Sequence, residues 1–274
     1  QSPPSSITPR RNPIQSKKNG RNVSKNVKRL NINNMNDQLK LLYEKYWDGF
    51  ITNVYKATMK DGNPVCAYPF LIQATPQYLN AQKRIMFCGQ ETRVWGREFP
   101  HPDTTSPCDL MGLYDKFVNK NNRGEQLLKP GYNSPYWNFQ WRIMQAFPEV
   151  GFVAQNIVKS GKYASAGCNN TIYELTKQFF PVWKEELRIL KPDMIIFLTG
   201  DYDWRIREVI GDFMKIPVGQ NSHIDQLQFK NIDFPFAVRT NHPAYLQRHN
   251  RIEQRYYNTA NELIELIKTH VISL

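Results

Sequence analysis

The stretch Arg84-Ile-Met-Phe-Cys-Gly-Gln-Glu-Thr92 joins a short apolar strand to a polar turn that carries a carboxylate. The apolar run Ile85–Cys88 predicts a buried strand, and Gly89-Gln90 predicts the turn that leads out of it. In an open α/β sheet, ligands bind in the crevice at the carboxyl ends of the strands. Glu91, which follows this turn, is therefore a candidate catalytic group.

A second polar turn follows an apolar run far downstream. The run Phe234–Val238 leads into Arg239-Thr-Asn-His-Pro-Ala-Tyr-Leu246, so a histidine stands where the first turn offers a carboxylate. The two turns together point to a site at one edge of a sheet.

Strand and helix patterns alternate from Arg84 to the C-terminus. Four apolar runs predict strands: Ile85–Cys88, Val150–Ile157, Met194–Leu198 and Phe234–Val238. Helical spacing predicts helices over Trp137–Gln145, Thr171–Leu190, Tyr202–Phe213 and Ile252–Thr269, with a break in the second at Pro181. This alternation predicts an α/β fold with three layers, α/β/α, around a central, mostly parallel, four-stranded sheet.

The N-terminal part of the chain differs from the rest in charge. Of the net charge of +12, residues 1–36 supply +8 because they contain eight basic and no acidic residues. A segment of this composition predicts a mobile basic arm, which serves either to contact phosphates or as a solvated linker or targeting tail. The remainder, 37–274, is predicted to be one domain that begins with a helix up to about Phe50. The turn-rich stretch 97–135 is predicted to be an insertion, a lid or surface loop.

Composition excludes several classes of protein. The chain has 274 residues with 15 Phe, 14 Tyr and 6 Trp, enough to fold around a proper core. Its apolar runs are too short to span a bilayer, so we expect no membrane association and an intracellular protein, nuclear or cytoplasmic. The cysteines Cys66, Cys88, Cys108 and Cys168 form no C-x-x-C pair, so buried reduced thiols are expected and neither a metal nor a cofactor.

The ends of the four predicted strands carry chemically complementary groups. The first end offers Glu91, the second Gln155-Asn156, the third Thr199-Gly200-Asp201, and the last His242. A carboxylate can orient or deprotonate water, and a carboxamide both donates and accepts, as reading a base edge requires. An imidazole can donate to an oxygen that gains negative charge. In a parallel sheet these ends lie along one edge, so the groups could converge on one pocket.

This order of motifs resembles the uracil-DNA glycosylase superfamily. The family's first motif, Gly-Gln-Asp-Pro-Tyr in its best-known branch, is similar to Gly89-Gln-Glu-Thr-Arg93, and its last, His-Pro-Ser-Pro-Leu, to His242-Pro-Ala-Tyr-Leu246. A strand ending in a base-reading Asn is similar to Ala154–Lys159, and a Lys-Pro followed by a buried strand ending in Gly to Lys191–Gly200. The resemblance covers roughly Arg84 to the C-terminus.

The resemblance implies a monofunctional DNA glycosylase, acting as a monomer on uracil or a related modified base flipped out of DNA. Glu91 takes the position of the water-activating Asp, one methylene longer and without the following Pro. Gln90 would contact the base through its backbone, Asn156 would read the base, and His242 would stabilise the oxygen of the departing base.

The resemblance also implies groups that hold the DNA and stack on the base. Leu246 falls where the family inserts a leucine into the duplex, and a set of arginines nearby would contact phosphates, Arg248 and Arg251. The aromatic ring under the base is left open between Tyr136 and Trp137, with Trp95 as a further candidate.

Other interpretations remain open at this point. Each residue alone also fits a structural role: Glu91 at a helix start, Asn156 satisfying backbone, and Leu246 in the core. The replacements in the first and last motifs are compatible with an inactive glycosylase-like fold that binds DNA or protein. A nucleoside or nucleotide hydrolase is a third possibility, and it would have no use for the basic arm.

Overall fold

A computed structural model of the protein describes eleven ranges of the chain: 34–59, 66–93, 95–96, 98–99, 106–120, 134–163, 165–168, 170–219, 223–230, 232–248 and 254–273. Nearly all of the predicted basic arm, part of the predicted insertion, and Arg251 lie outside the described residues.

Helices and strands follow one another along the described part of the chain without strict alternation. The helices are α1 (Met35–Thr58), α2 (Pro76–Asn80), α3 (Pro107–Tyr114), α4 (Pro135–Gln145), α5 (Asn170–Phe179), α6 (Trp183–Leu190), α7 (Asp203–Val209), α8 (Pro243–Arg248) and α9 (Arg255–Ile267). The strands are β1 (Cys66–Ala67), β2 (Arg84–Glu91), β3 (Glu98–Phe99), β4 (Gly151–Val158), β5 (Met194–Phe197), β6 (Phe213–Val218), β7 (Ile224–Phe229) and β8 (Phe236–Thr240). Single π-helical turns follow α3 and α9, at Asp115–Asn119 and Lys268–Ile272.

The central sheet has six strands in the order β4-β2-β5-β8-β7-β6, and β1 pairs with β3 in a separate antiparallel sheet. Strands β4, β2, β5 and β8 are parallel neighbours, which are the four strands that the sequence predicts. The predicted number of four is wrong, because the antiparallel hairpin β6–β7 extends the sheet beyond β8. Pro217 makes β6 hard to recognise in the sequence, because proline is rare inside strands. The structure tolerates it because β6 is an edge strand.

Both faces of the sheet are covered by helices, which confirms the three-layer α/β/α prediction. Along β2, Met86 and Cys88 pack into one core with α1, α5 and α6, whereas Ile85 and Phe87 pack into a second core with α4, α8 and α9. Successive side chains of a strand point to opposite faces, so a strand buried on both faces reads as an unbroken apolar run.

The helices agree with the sequence pattern except at their ends. Pro181 separates α5 from α6 as predicted, and Lys191, with a φ of 47°, ends α6 in the left-handed region. The helix predicted over Tyr202–Phe213 is shorter, because Phe213 already begins β6. The N-terminal helix continues to Thr58, eight residues beyond the predicted end.

A buried network of charged and polar side chains joins α1 and α6 to the carboxyl end of β4. Glu186, which is 0% exposed, accepts hydrogen bonds from the Tyr43 hydroxyl at 2.7 Å and from Lys159 Nζ at 2.6 Å. Its second oxygen accepts from the Gln155 side-chain amide. Burial lowers the pKa of Lys159, and the Glu186 carboxylate opposes that shift. The network fixes the end of β4 next to Asn156.

Candidate active site at the carboxyl edge of the sheet

The ends of β2 and β4 meet closely at Gly89 and Asn156, which are paired in register. A Cβ atom on Gly89 would lie 2.5 Å from Asn156 Oδ1 and would also collide with the hydroxyl oxygen of Tyr136. Asn156 is only 8% exposed. A glycine is therefore required here, and it allows a carboxamide and a phenol to approach the same point of the backbone.

His242 joins this group from the turn after β8. Its ring stacks on that of Tyr136 with centroids 5.5 Å apart and planes inclined by 11°. Its Nδ1 accepts a 3.2 Å hydrogen bond from the backbone amide of Ala244. Burial, assisted by the positive charge of Arg248, lowers the pKa of His242 to about 4. The imidazole is therefore neutral at physiological pH, with its proton on Nε2 available to an acceptor.

Gln90 connects the end of β2 to the turn after β5. Its side-chain Nε2 donates a 2.8 Å hydrogen bond to the carbonyl oxygen of Thr199. The next residue, Gly200, has a φ of 57°, and a Cβ there would lie 3.5 Å from the backbone nitrogen of His242. The side chain of Gln90 thus holds two strand ends together, and its predicted backbone contact with a base stays a prediction.

Glu91 is the last residue of β2, whereas the sequence places it beyond the strand. The strand is longer because Glu91 still pairs in register with Val158 of β4. Its Oε2 accepts a 2.6 Å hydrogen bond from the Tyr202 hydroxyl, and its Oε1 accepts a 2.9 Å bond from the amide of Gly167. Burial raises the pKa of Glu91, and these two bonds act in the opposite direction.

The three aromatic candidates have different surroundings. Tyr136 contacts His242, as described above. Trp137 packs edge-on against Tyr136 with centroids 5.1 Å apart, and it also contacts Phe117. Trp95, which is 8% exposed, packs edge-on against Phe70. Of the three, Tyr136 is the ring that lies directly at the junction of Asn156 and His242.

The three residues predicted to contact DNA do not share one environment. Leu246 is 0% exposed in the core between the sheet and α9, so insertion into a duplex would require it to leave this packing. Its neighbour Tyr245 is 39% exposed. Arg248 is exposed at the end of α8, and Arg251 lies outside the described residues. The proposed contacts of all three predicted residues with DNA stay predictions.

Sequence reasoning did not identify two groups at this edge, Tyr202 and the glycine loop that contains Gly161 and Gly167. Tyr202 follows the end of β5 by a few residues, and its position after a strand was the one available signal. The two glycines have no side chain that would mark them as functional, and their role becomes visible only through the packing of Glu91.

In the described part of the chain, no three His, Cys, Asp or Glu side chains are grouped so that they could hold a metal ion. The four cysteines form no disulfide, and Cys108 is exposed rather than buried as the sequence suggests. None of the helices that the structure describes is both long and apolar enough to cross a membrane.

Comparison with known proteins places this geometry in a family. A search of curated proteins finds no significant match. A sequence model of the Uracil DNA glycosylase superfamily matches residues 76–265. The match includes β2, β4, β5 and β8 and the turns that follow them, and it spans most of the chain. This superfamily is generally one of DNA glycosylases, hydrolases that act on DNA. The chain therefore belongs to the uracil-DNA glycosylase superfamily.

Proposed function

We propose that the protein is a monofunctional DNA glycosylase that hydrolyses the N-glycosidic bond of uracil or a related modified base flipped out of DNA. The observation that carries this proposal is the junction of Gly89, Asn156, Tyr136 and His242 at the carboxyl edge of the sheet. A base has to be removed from the stack before an enzyme can act on its glycosidic bond, and a compact polar pocket is where it is then held.

Base recognition falls to Asn156 and to the neighbouring aromatic ring. A carboxamide offers one acceptor and two donor hydrogens, which suits the amide-like pairing edge of uracil. Asn156 is nearly buried, so its hydrogen bonds to a base would form away from water, where a mismatched partner is costly. Tyr136, which like Asn156 lies against Gly89, supplies an aromatic surface at the same junction.

His242 stabilises the departing base. When the C1′–N bond breaks, both electrons go to the base, and its carbonyl oxygen gains negative charge. A neutral imidazole with the proton on Nε2 can donate to that oxygen, and the Ala244 amide fixes this tautomer through Nδ1. The low pKa of His242 keeps the ring neutral, so the proton is shared with the base oxygen rather than transferred outright.

Glu91 acts on the sugar side of the bond. Its negative charge stabilises the positive charge that develops at C1′, and its free lone pairs orient the attacking water. The water oxygen bonds to C1′ and releases one proton, the departing base anion takes up one proton, and the products are the free base and an abasic site. Water is the nucleophile, so the DNA backbone stays intact.

One observation favours a second candidate function, a glycosylase-like fold that binds DNA or protein without catalysis. Both carboxylate oxygens of Glu91 are already hydrogen-bonded inside the protein, and the Tyr136 hydroxyl fills the space beside Gly89. These contacts are also what a purely structural role would require.

The experiment that separates the two functions is an excision assay on a panel of duplexes and single strands. The strands carry uracil, xanthine, hypoxanthine or a hypermodified base, and abasic sites are revealed by alkaline cleavage. We expect alkali-dependent cleavage at one of these bases, with no cleavage before alkali. Tight binding of the same DNA without abasic sites would favour the binding module and contradict the glycosylase.

A further inference from the structure

Tyr202 links the end of β5 to the end of β2. It lies in the turn that leads into α7, and its hydroxyl donates the 2.6 Å bond to Glu91 Oε2 across 111 positions of the chain. A hydrogen bond of this length to a carboxylate is charge-assisted and roughly twice as strong as one between neutral groups. Burial raises the pKa of Tyr202, so the hydroxyl remains protonated and acts as the donor.

The other oxygen of Glu91 is held by the loop after β4. The amide of Gly167, whose φ is 87°, donates to Oε1 at 2.9 Å. A carboxylate oxygen has two lone pairs, so each oxygen of Glu91 retains one that can face a water molecule. The carboxylate is therefore oriented by the protein and still able to take part in chemistry.

The longer side chain of Glu91 fits because the loop contains a second glycine. A Cβ on Gly161 would lie 2.7 Å from Glu91 Cγ and would collide with the carbonyl oxygen of Thr92. The amide of Gly161 is in turn bound to the Thr92 hydroxyl at 2.9 Å. The extra methylene of Glu91 thus lies over backbone that carries no side chain.

The charged surroundings of Glu91 come from two elements. From α7, Arg205 lies between the rings of Tyr173 and Trp204, 3.2 and 3.6 Å from their centroids, and is 3% exposed. From the loop after β4, Lys162 also favours the charged carboxylate, and the Cys168 thiol lies close enough to interact with Glu91.

We propose that Tyr202 is a positioning residue, whose hydroxyl fixes the orientation of the Glu91 carboxylate for hydrolysis. This inference rests on the proposed function, because it assigns Tyr202 a part in that same site. Tyr202 compensates for the longer side chain at position 91: the carboxylate reaches further from the backbone and needs a second anchor beyond the strand.

The test compares wild type with Tyr202→Phe, which removes the hydroxyl and keeps the ring. Loss of a bond to the charged form raises the pKa of Glu91, so the acidic limb of the kcat profile moves to higher pH by about one unit. We expect kcat to fall about tenfold on the plateau while KM changes little, since the carboxylate loses its orientation. Tyr78→Phe is the matched control, because its hydroxyl donates to the Leu190 carbonyl at the opposite edge of the sheet.

A direct titration makes the outcome independent of turnover. The carboxyl carbon of Glu91 is followed by NMR in protein labelled at glutamate, with the signal assigned by its loss in Glu91→Gln. A rise in the Glu91 pKa in Tyr202→Phe, with none in Tyr78→Phe, supports the inference, and an unchanged Glu91 pKa overturns it. An unmoved acidic limb in an active enzyme overturns it as well. Absence of excision in wild type contradicts the proposed function, and the titration still decides whether Tyr202 controls Glu91.

Discussion

Gly89 of β2 and Asn156 of β4 are paired in register, and the Asn156 carboxamide occupies the space that a side chain at position 89 would need. This pairing places Asn156, which we propose reads the base, opposite the residue that lies two positions before Glu91.

Gly89→Ala should abolish most excision while the protein remains folded. The added methyl group would lie 2.5 Å from Asn156 Oδ1, so Asn156 and Tyr136 must both move. Displacement of about 1 Å at a reacting centre costs about 100-fold in rate, and overpacking costs about 1–3 kcal/mol of stability. Single-turnover rates and urea denaturation measure the two effects.

The control is Gly112→Ala in α3, where a Cβ meets nothing within 4 Å. A helical Gly→Ala change there should stabilise by up to about 1 kcal/mol without affecting excision. Equal excision rates in Gly89→Ala and wild type would show that the junction of β2 and β4 is not the base site.

His242 should make the free energy of unfolding depend on pH between about pH 4 and pH 6.5. The folded protein holds the imidazole neutral with a pKa of about 4, against 6.5 for an ordinary histidine. As the pH falls, this histidine binds a proton in the unfolded chain before it does so in the folded protein. The contribution of the neutral imidazole to the free energy of unfolding is therefore complete above pH 6.5 and is lost as the pH falls towards 4. The lowered pKa of His242 corresponds to about 3 kcal/mol of stability.

The measurement is the free energy of unfolding from pH 4 to pH 7 in wild type and His242→Asn, in which an amide oxygen can replace Nδ1 as acceptor for Ala244. The difference between the two proteins should grow as the pH rises through this window. A difference that does not change with pH would contradict a buried neutral His242.

Glu186→Gln should destabilise the fold strongly, by about 3–5 kcal/mol, because Lys159 would be left buried without a counter-charge. The neighbouring substitution Glu185→Gln is the control. Glu185 pairs with Arg188 on the exposed face of the same helix, where such pairs contribute less than about 1 kcal/mol. Urea denaturation of both variants checks this, and equal losses would rule out the buried network as the anchor of β4.

Glu91→Asp should reduce turnover even though an aspartate resembles the usual residue of the family. The shorter side chain cannot keep its bonds to both Tyr202 and Gly167, so we expect kcat to fall about 10- to 100-fold with little change in DNA affinity. Rapid-quench kinetics and fluorescence anisotropy measure these quantities. Turnover equal to or above that of wild type would show that the hydrogen bonds from Tyr202 and Gly167 are not adapted to the length of the Glu91 side chain.

The sequence predicts the parallel part of the sheet because its strands are buried on both faces and read as continuous apolar runs, as Ile85–Cys88 does. It does not predict β6 and β7, in which buried residues such as Ile224 and Leu227 are separated by polar ones and Pro217 interrupts the pattern. Most of β6 is exposed, and the two buried residues of β7 are three positions apart, so neither strand shows the regular alternation of a half-buried strand.

Like the sheet, the candidate site can be predicted from the sequence only in part. Glu91, Asn156 and His242 could be found because each lies at or just beyond the carboxyl end of a recognisable strand. Tyr202 could not, because its contact with Glu91 joins positions 111 residues apart and depends on how two turns pack. The burial of Leu246 likewise depends on the position of α9, which no local pattern in α8 reveals.

The central claim, that Glu91 is the catalytic carboxylate, is tested most directly by Glu91→Gln under single-turnover conditions on the best duplex of the panel. Glutamine keeps the size of the side chain but carries no charge, so excision should fall at least about 1,000-fold while DNA affinity stays within about threefold. Excision by Glu91→Gln at the wild-type rate would contradict the account.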